Sequence, residues 1–153
     1  MSTPNTLLVS SMNAIFPGNI GVIPVQAVIS QYEKSDETNS DLILAKTGAA
    51  VHGIFDTGAS RSAISERVAE RLALRKVNAI TVHTAAGTVQ QDCHVVNIVV
   101  MPNEIVFPAH QVTSAKLHSC DILIGMDIIG LGDFIISRRH GFLVVEFRLF
   151  TPC

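Results

Sequence analysis

Between Gly53 and Ser60 the chain reads Gly-Ile-Phe-Asp-Thr-Gly-Ala-Ser. An apolar run delivers one carboxylate, Asp56, onto a tight Thr57-Gly58 turn, and Ala59 and Ser60 lead away from it. Gly58 lets the backbone come close to whatever that carboxylate acts on. A lone Asp is a poor acid–base catalyst, whereas two facing carboxyls divide the roles of acid and base. There is no second Asp-Thr-Gly or Asp-Ser-Gly in the 153 residues.

The rest of the chain is patterned for short strands. Ile20 to Ser30 alternates Val25, Ala27 and Ile29 with Gln26 and Val28, with Pro24 placing its start at a sheet edge. Gln31 to Ser40 is polar and charged and is expected to be a surface loop, the place in the chain where disorder is most expected. Asp41 to Ala45 and Ala50 to Phe55 are expected as two strands joined by a Lys46-Thr47-Gly48 turn. Ser65 to Leu74 predicts a helix, with Ser65 as N-cap, Val68, Ala69, Leu72 and Ala73 on one face, and Arg71, Arg75 and Lys76 near the C-terminal end. Ala79 to His83 and Val89 to Val100 make a long hairpin whose tip, Thr84-Ala85-Ala86-Gly87-Thr88, has no large side chain to anchor it. Further strands are expected over Ile105 to Ala109 and Cys120 to Gly125. Asp127 is expected to cap a short helix, and a final hairpin turns at Arg138-Arg139-His140-Gly141. Residues 1–19 are expected to be a loose segment ahead of one domain spanning 20–153. About ten strands with one or two short helices predict an all-β barrel or sandwich.

Composition narrows the function classes. Hydrophobic residues make up 48% of the chain, mostly aliphatic, with 7 Phe, 1 Tyr and no Trp. Such a core suits β structure, and the apolar excess suits a subunit interface. Net charge is −2 and the 11 basic residues are scattered, which does not point to nucleic acid. No run approaches the roughly 20 apolar residues of a membrane span. Three widely spaced cysteines, Cys93, Cys120 and Cys153, argue for a reducing, cytoplasmic setting rather than a disulfide framework. His83, Cys93, His94, His110, His118 and Cys120 are the candidate metal ligands. His118-x-Cys120 lacks a matching second pair, so neither metal nor cofactor is expected.

If a carboxylate pair exists, its second member must come from another copy of the chain, across a two-fold axis. Phe55-Asp56-Thr57-Gly58-Ala59-Ser60, the hairpin tipped by Ala85-Ala86-Gly87, and Ile122-Leu123-Ile124-Gly125-Met126-Asp127 follow one another in an order that resembles the retropepsin-like aspartic protease family. The resemblance spans roughly residues 20–150. It implies a closed β-barrel with a flap hairpin and a homodimeric endopeptidase acting on an extended peptide. It further implies Asp56 as catalytic carboxylate, Thr57 hydrogen-bonding across the dimer axis, and Gly58 offering its carbonyl to substrate. Ala59, Ala85, Ala86 and Gly87 would contact the peptide, and Ile124 would line a side-chain pocket. Ser60 and Met126 stand where retroviral members carry Asp and Arg, so the ion pairs that brace the viral dimer are absent. The alternative is a non-catalytic retropepsin-like module that dimerises or binds peptide.

Overall fold

The computed structural model describes residues 6–38 and 40–152. Ten strands form two sheets. The first two strands, β1 (Thr6–Pro17) and β2 (Ile23–Gln31), belong to different sheets. Then come α1 (Ser40–Ala45), β3 (Ala49–Phe55), β4 (Ala63–Ser65) and α2 (Glu66–Arg71). The long hairpin is β5 (Lys76–Thr84) and β6 (Gly87–Val100), followed by β7 (Ile105–Ala115). β8 (Ile122–Ile124), α3 (Met126–Ile129), β9 (Gly132–Arg139) and β10 (Phe142–Pro152) complete the chain.

The larger sheet runs β2-β3-β8-β4-β7-β6-β5, and a β2–β6 pairing closes six of its strands into a barrel. Strand alternation explains which residues fill it. Val25, Ala27 and Ile29 of β2, Val51 and Phe55 of β3, and Val96, Ile98 and Val100 of β6 are buried, while Gln26 and His52 are exposed. Pro24 pairs only with β3, because pairing with β6 begins at Ala27, so its missing N–H breaks no second ladder. The smaller sheet, β1-β10-β9, lays Met12, Leu143, Val145 and Phe147 against the barrel. Phe147 is fully buried, 5.7 Å from the Phe134 ring and 6.4 Å from those of Phe55 and Phe107.

Three expectations are corrected. The loose segment expected over residues 1–19 is instead strand β1 from Thr6 to Pro17, paired along β10 from Thr6↔Pro152 to Pro17↔Phe142; residues 1–5 lie outside the described part. Its backbone is satisfied by a strand more than 120 residues away, and Asn13 and Ile15 point outward while Met12 is buried. Second, Asp41 to Ala45 lies in α1 rather than a strand, so the antiparallel partner of β3 is β2, with the intervening segment inserted between them. Third, the segment expected to be a surface loop holds a 3-10 turn, Lys34–Thr38. The buried Asp36 anchors it, accepting hydrogen bonds from Lys46 Nζ (2.5 Å), Glu33 N (2.8 Å) and Asn97 Nδ2 (2.8 Å). Burial raises the Asp36 pKa, but these donors outweigh it and hold the carboxyl below its ordinary value.

The predicted helix forms, shorter than expected. Ser65 caps it, its Oγ accepting from Val68 N at 3.3 Å. Ala73 takes a left-handed φ of 48° and ends it. Ser65→Ala is expected to lower stability by about 1 kcal/mol, read from denaturant midpoints at unchanged slope.

Candidate active site

Strand β3 runs parallel to β8, with Phe55 opposite Ile124. Where β3 ends, Asp56 N donates to Ile124 O at 2.8 Å, which holds the start of the turn to β8. The turn closes with Ala59 N donating to Asp56 O at 3.2 Å. Gly58 N donates to Asp56 Oδ1 at 2.8 Å, aiming the carboxylate. A Cβ on Gly58 would lie 3.2 Å from that same oxygen. Asp56 is half-buried, Thr57 and Gly58 are exposed, and Ala59 is half-buried. Asp56 Oδ2 has no hydrogen bond among the described residues, so one carboxylate oxygen is aimed and the other is open.

The far side of the turn is braced by α3. Ala59 O accepts from Met126 N at 2.8 Å. At Gly125 a Cβ would sit 2.7 Å from the Arg61 carbonyl carbon and 2.8 Å from Ala59 O, so only glycine permits this approach. Asp127 was expected to cap α3. Instead Gly125 holds the N-cap position, and Asp127 joins the helix to the strand leaving the turn. Its carboxylate accepts from Ser62 N (2.9 Å), Ser62 Oγ (2.7 Å) and His110 Nε2 (2.9 Å), as well as Ile128 N (3.0 Å). Ser62 Oγ in turn accepts from Gly125 N at 3.0 Å. Burial raises the Asp127 pKa, but hydrogen bonds from His110 and from both Ser62 groups prevail and hold it below its ordinary value. Nothing local in the sequence marks Ser62 or His110 as part of this site, because their partners lie 65 and 17 residues away.

Ile124 is fully buried, so the expectation that it lines a substrate pocket is corrected. Adjacent strand residues face opposite ways, and the half-exposed member of β8 is Leu123. Ala85, Ala86 and Gly87 form the hairpin tip as expected in sequence position, all exposed, with Gly87 at φ 123°. Thr84 ties the tip internally, its Oγ1 donating to Gly87 O at 2.8 Å and accepting from Ala86 N at 3.3 Å. Thr84 and Ala86 also line a cavity of about 1020 Å³ shared with Glu66, Ala69 and Glu70; Asp56 is not among its lining residues.

The candidate metal ligands do not converge: among the described residues, no group of three or more His, Cys, Asp or Glu side chains is placed to hold an ion. His94 donates from Nδ1 to Arg75 O and pairs through Nε2 with Ser114 Oγ, while His83 pairs with Thr88. Cys93 and Cys120 are free thiols. No described helix is long and apolar enough to cross a membrane.

Comparison with a solved structure gives the same architecture. A retropepsin-like aspartic protease from Rickettsia conorii overlays with a TM-score of 0.55 at 17% identity, covering 99% of this chain and all of that one. The retroviral protease-like domain of Ddi1 from Leishmania major overlays at 0.48 with 18% identity, over 88% of this chain and 97% of that one. Simian foamy virus (mac) protease gives 0.45 with 18% identity, over 70% of this chain and 91% of that one. No curated protein matches significantly. The family model for the gag-polyprotein putative aspartyl protease matches residues 45–130, a span that contains the Asp56 turn, the hairpin and β8 with α3. With its retropepsin-like fold and that match across more than half its length, the chain belongs to the gag-polyprotein putative aspartyl protease family.

Proposed function

We propose that the chain is one half of a homodimeric aspartic endopeptidase, with Asp56 from each of two copies forming the catalytic pair. The observation that carries this reading is the Asp56 carboxylate, held at a surface turn with Oδ1 occupied by Gly58 N–H and Oδ2 open. Two such carboxyls brought face to face share one proton. The ionised member takes a proton from water as the water oxygen bonds to the scissile carbonyl carbon. The protonated member gives its proton to the carbonyl oxygen. As the diol collapses, the carboxyl that received the water proton gives it to the amide nitrogen, the C–N bond breaks, and the other carboxylate takes a hydroxyl proton from the diol, leaving acid, amine and the pair with its one proton. No covalent intermediate forms and no cofactor enters. Thr57 braces the pair across the axis. Gly58, Ala59 and the Ala85-Ala86-Gly87 tip hold the peptide in extended form.

Support for a dimer comes from apolar surface left open beside the site. Strand β9 is a free sheet edge, and Ile135 and Ile136 on it are 37% and 48% exposed. The Phe134 ring on the same strand packs at a tilt against that of Phe55, 4.9 Å between centroids, and Phe55 is next to Asp56 in sequence. A second copy covering this edge removes an aggregation-prone feature. The free thiols support a reducing, cytoplasmic setting. The partners in this reading are a second copy and a peptide, not nucleic acid or a membrane.

The test is a dilution series with mass measured in solution. Cleavage of a peptide library per chain is expected to fall once the protein is diluted below its dimer dissociation constant, with the circular dichroism per residue retained. Constant activity per chain at concentrations where only monomer remains would exclude the two-chain site. A stable dimer that cleaves no peptide would favour the non-catalytic module.

A further inference from the structure

Arg61 is the only charged residue on the segment that carries the chain from Asp56 into β4. It is exposed, and among the described residues it has no ion pair or hydrogen bond through its guanidinium. Its backbone is pinned, because the Arg61 carbonyl packs where a Cβ on Gly125 would fall. The segment is therefore held in place while a free cation projects from it.

Register decides what surrounds that cation. Ala63 pairs with Thr113 in the parallel β4–β7 ladder, Thr113 with Cys93 across β6–β7, and Cys93 with Asn78 across the β5–β6 hairpin. Residues two apart on a strand share a face. Arg61 lies in the bend ahead of β4; Thr113 N donates to Ser62 O at 3.3 Å, so the course of β4 beside β7 continues to the residue after Arg61 and brings Arg61 toward Gln111, two before Thr113 and on the face of Thr113 and Asn78. Gln111 Nε2 donates to Asn78 Oδ1 at 3.3 Å. A second observation agrees with this placement. Burial and the Asp92 charge raise the Cys93 thiol pKa, and the Arg61 charge, with a hydrogen bond from Gln111, opposes the rise.

The same face of the hairpin continues toward its tip with Ile80 and Val82, both half-buried, whereas Ala79, Thr81 and His83 on the opposite face are exposed. An apolar strip thus ends in two amides and a cation, five residues from Asp56 along the chain. That combination suits an extended peptide carrying one carboxylate. A guanidinium presents paired N–H donors that match a carboxylate, and neighbouring amides supply further donors. No acidic side chain occurs between Thr57 and Ser65, and Asp92, the acidic group that also acts on the Cys93 thiol, is already paired with Lys76 at 2.6 Å.

We propose that Arg61, with the Gln111 and Asn78 amides beside it, forms a subsite for an Asp or Glu side chain of the peptide substrate. This rests on the reading of Asp56 as a peptide-cleaving residue. The subsite sets which peptides are held, while the Asp56 turn carries the chemistry.

The experiment separates the two. Labelled octapeptides in which a Glu, a Gln or a Lys is moved through each position are bound to full-length Asp56→Asn protein and followed by fluorescence anisotropy. At one position the Glu peptide is expected to bind about fivefold more tightly than its Gln counterpart, the size of one exposed ion pair. The preference shrinks at high salt. Adding Arg61→Gln should level the two, and adding Arg61→Glu should make the Lys peptide the best binder. Thermal unfolding of both variants checks that the barrel is intact. Equal binding of Glu and Gln peptides at every position, a Glu preference that survives Arg61→Glu, or no binding of any peptide would each overturn the subsite. The same peptides are offered to the wild-type protein. Acid-selective binding without cleavage would keep the subsite and remove the peptidase reading, whereas cleavage indifferent to Glu would do the reverse.

Discussion

Asp56→Asn is expected to abolish the proposed peptide cleavage, with a loss of roughly a thousandfold or more, while the fold survives. The two effects separate for a geometric reason. The substituted amide keeps an oxygen where Asp56 Oδ1 accepts from Gly58 N at 2.8 Å, so the turn stays closed. The backbone bond from Asp56 N to Ile124 O does not involve the side chain at all. Only the ability to exchange a proton is lost. Steady-state cleavage of a library-selected peptide, set beside the thermal unfolding of the same preparations, reads both effects. Retention of activity in Asp56→Asn would end the proposed mechanism. Loss of activity together with a collapsed unfolding transition would show that the turn depends on the charge.

Asp127→Ala is expected to destabilise the chain by about 3 kcal/mol, because it strands several donors at once. Ser62 N, Ser62 Oγ and His110 Nε2 all lose their acceptor, and Ser62 is fully buried. Equilibrium unfolding in urea measures the loss, and Asp127→Asn, which keeps an acceptor for Ser62, should recover part of it. The pH dependence has a definite sign. The folded-state pKa of Asp127 lies below its ordinary value of 3.8. In the unfolded chain the group takes up a proton at about that ordinary value, so just below it the unfolded state binds more protons. The contribution of Asp127 is therefore fully present above that pH. It is lost as pH falls through the lower, folded-state value. The stability gap between wild type and Asp127→Ala should be constant from neutral pH down to about pH 5 and shrink below about pH 4. A gap that stays constant through pH 3 would show that the network does not depend on an ionised Asp127.

Much of the barrel was legible because its signals are local. The alternation of Val25, Ala27 and Ile29 and the N-cap at Ser65 each act within a few residues, and each appears where the pattern places it. The failures share a different cause. Residues 6–17 carry too weak a local pattern to announce a strand, and their pairing is supplied by β10 at the other end of the chain. Asp36 looks like a solvated loop residue until Asn97, 61 residues away, and Lys46 close around it. Ile124 and Leu123 are indistinguishable as apolar neighbours. Which of them is buried depends on how β8 is wedged between β3 and β4.

The Asp56 turn divides along the same line. That the chain carries a single Asp-Thr-Gly turn, so that the proposed pair of such turns would draw its second member from another copy, follows from counting residues, because a motif present once cannot be supplied twice by one chain. How that carboxylate is held was decided only by tertiary structure. The Gly58 N–H that aims it is local, but the frame around it comes from Ile124, Gly125, Asp127 and His110, brought in from the second half of the chain. The contacts that fix a side chain to within an ångström are made across the barrel. Their energies depend on distances that residue order does not contain.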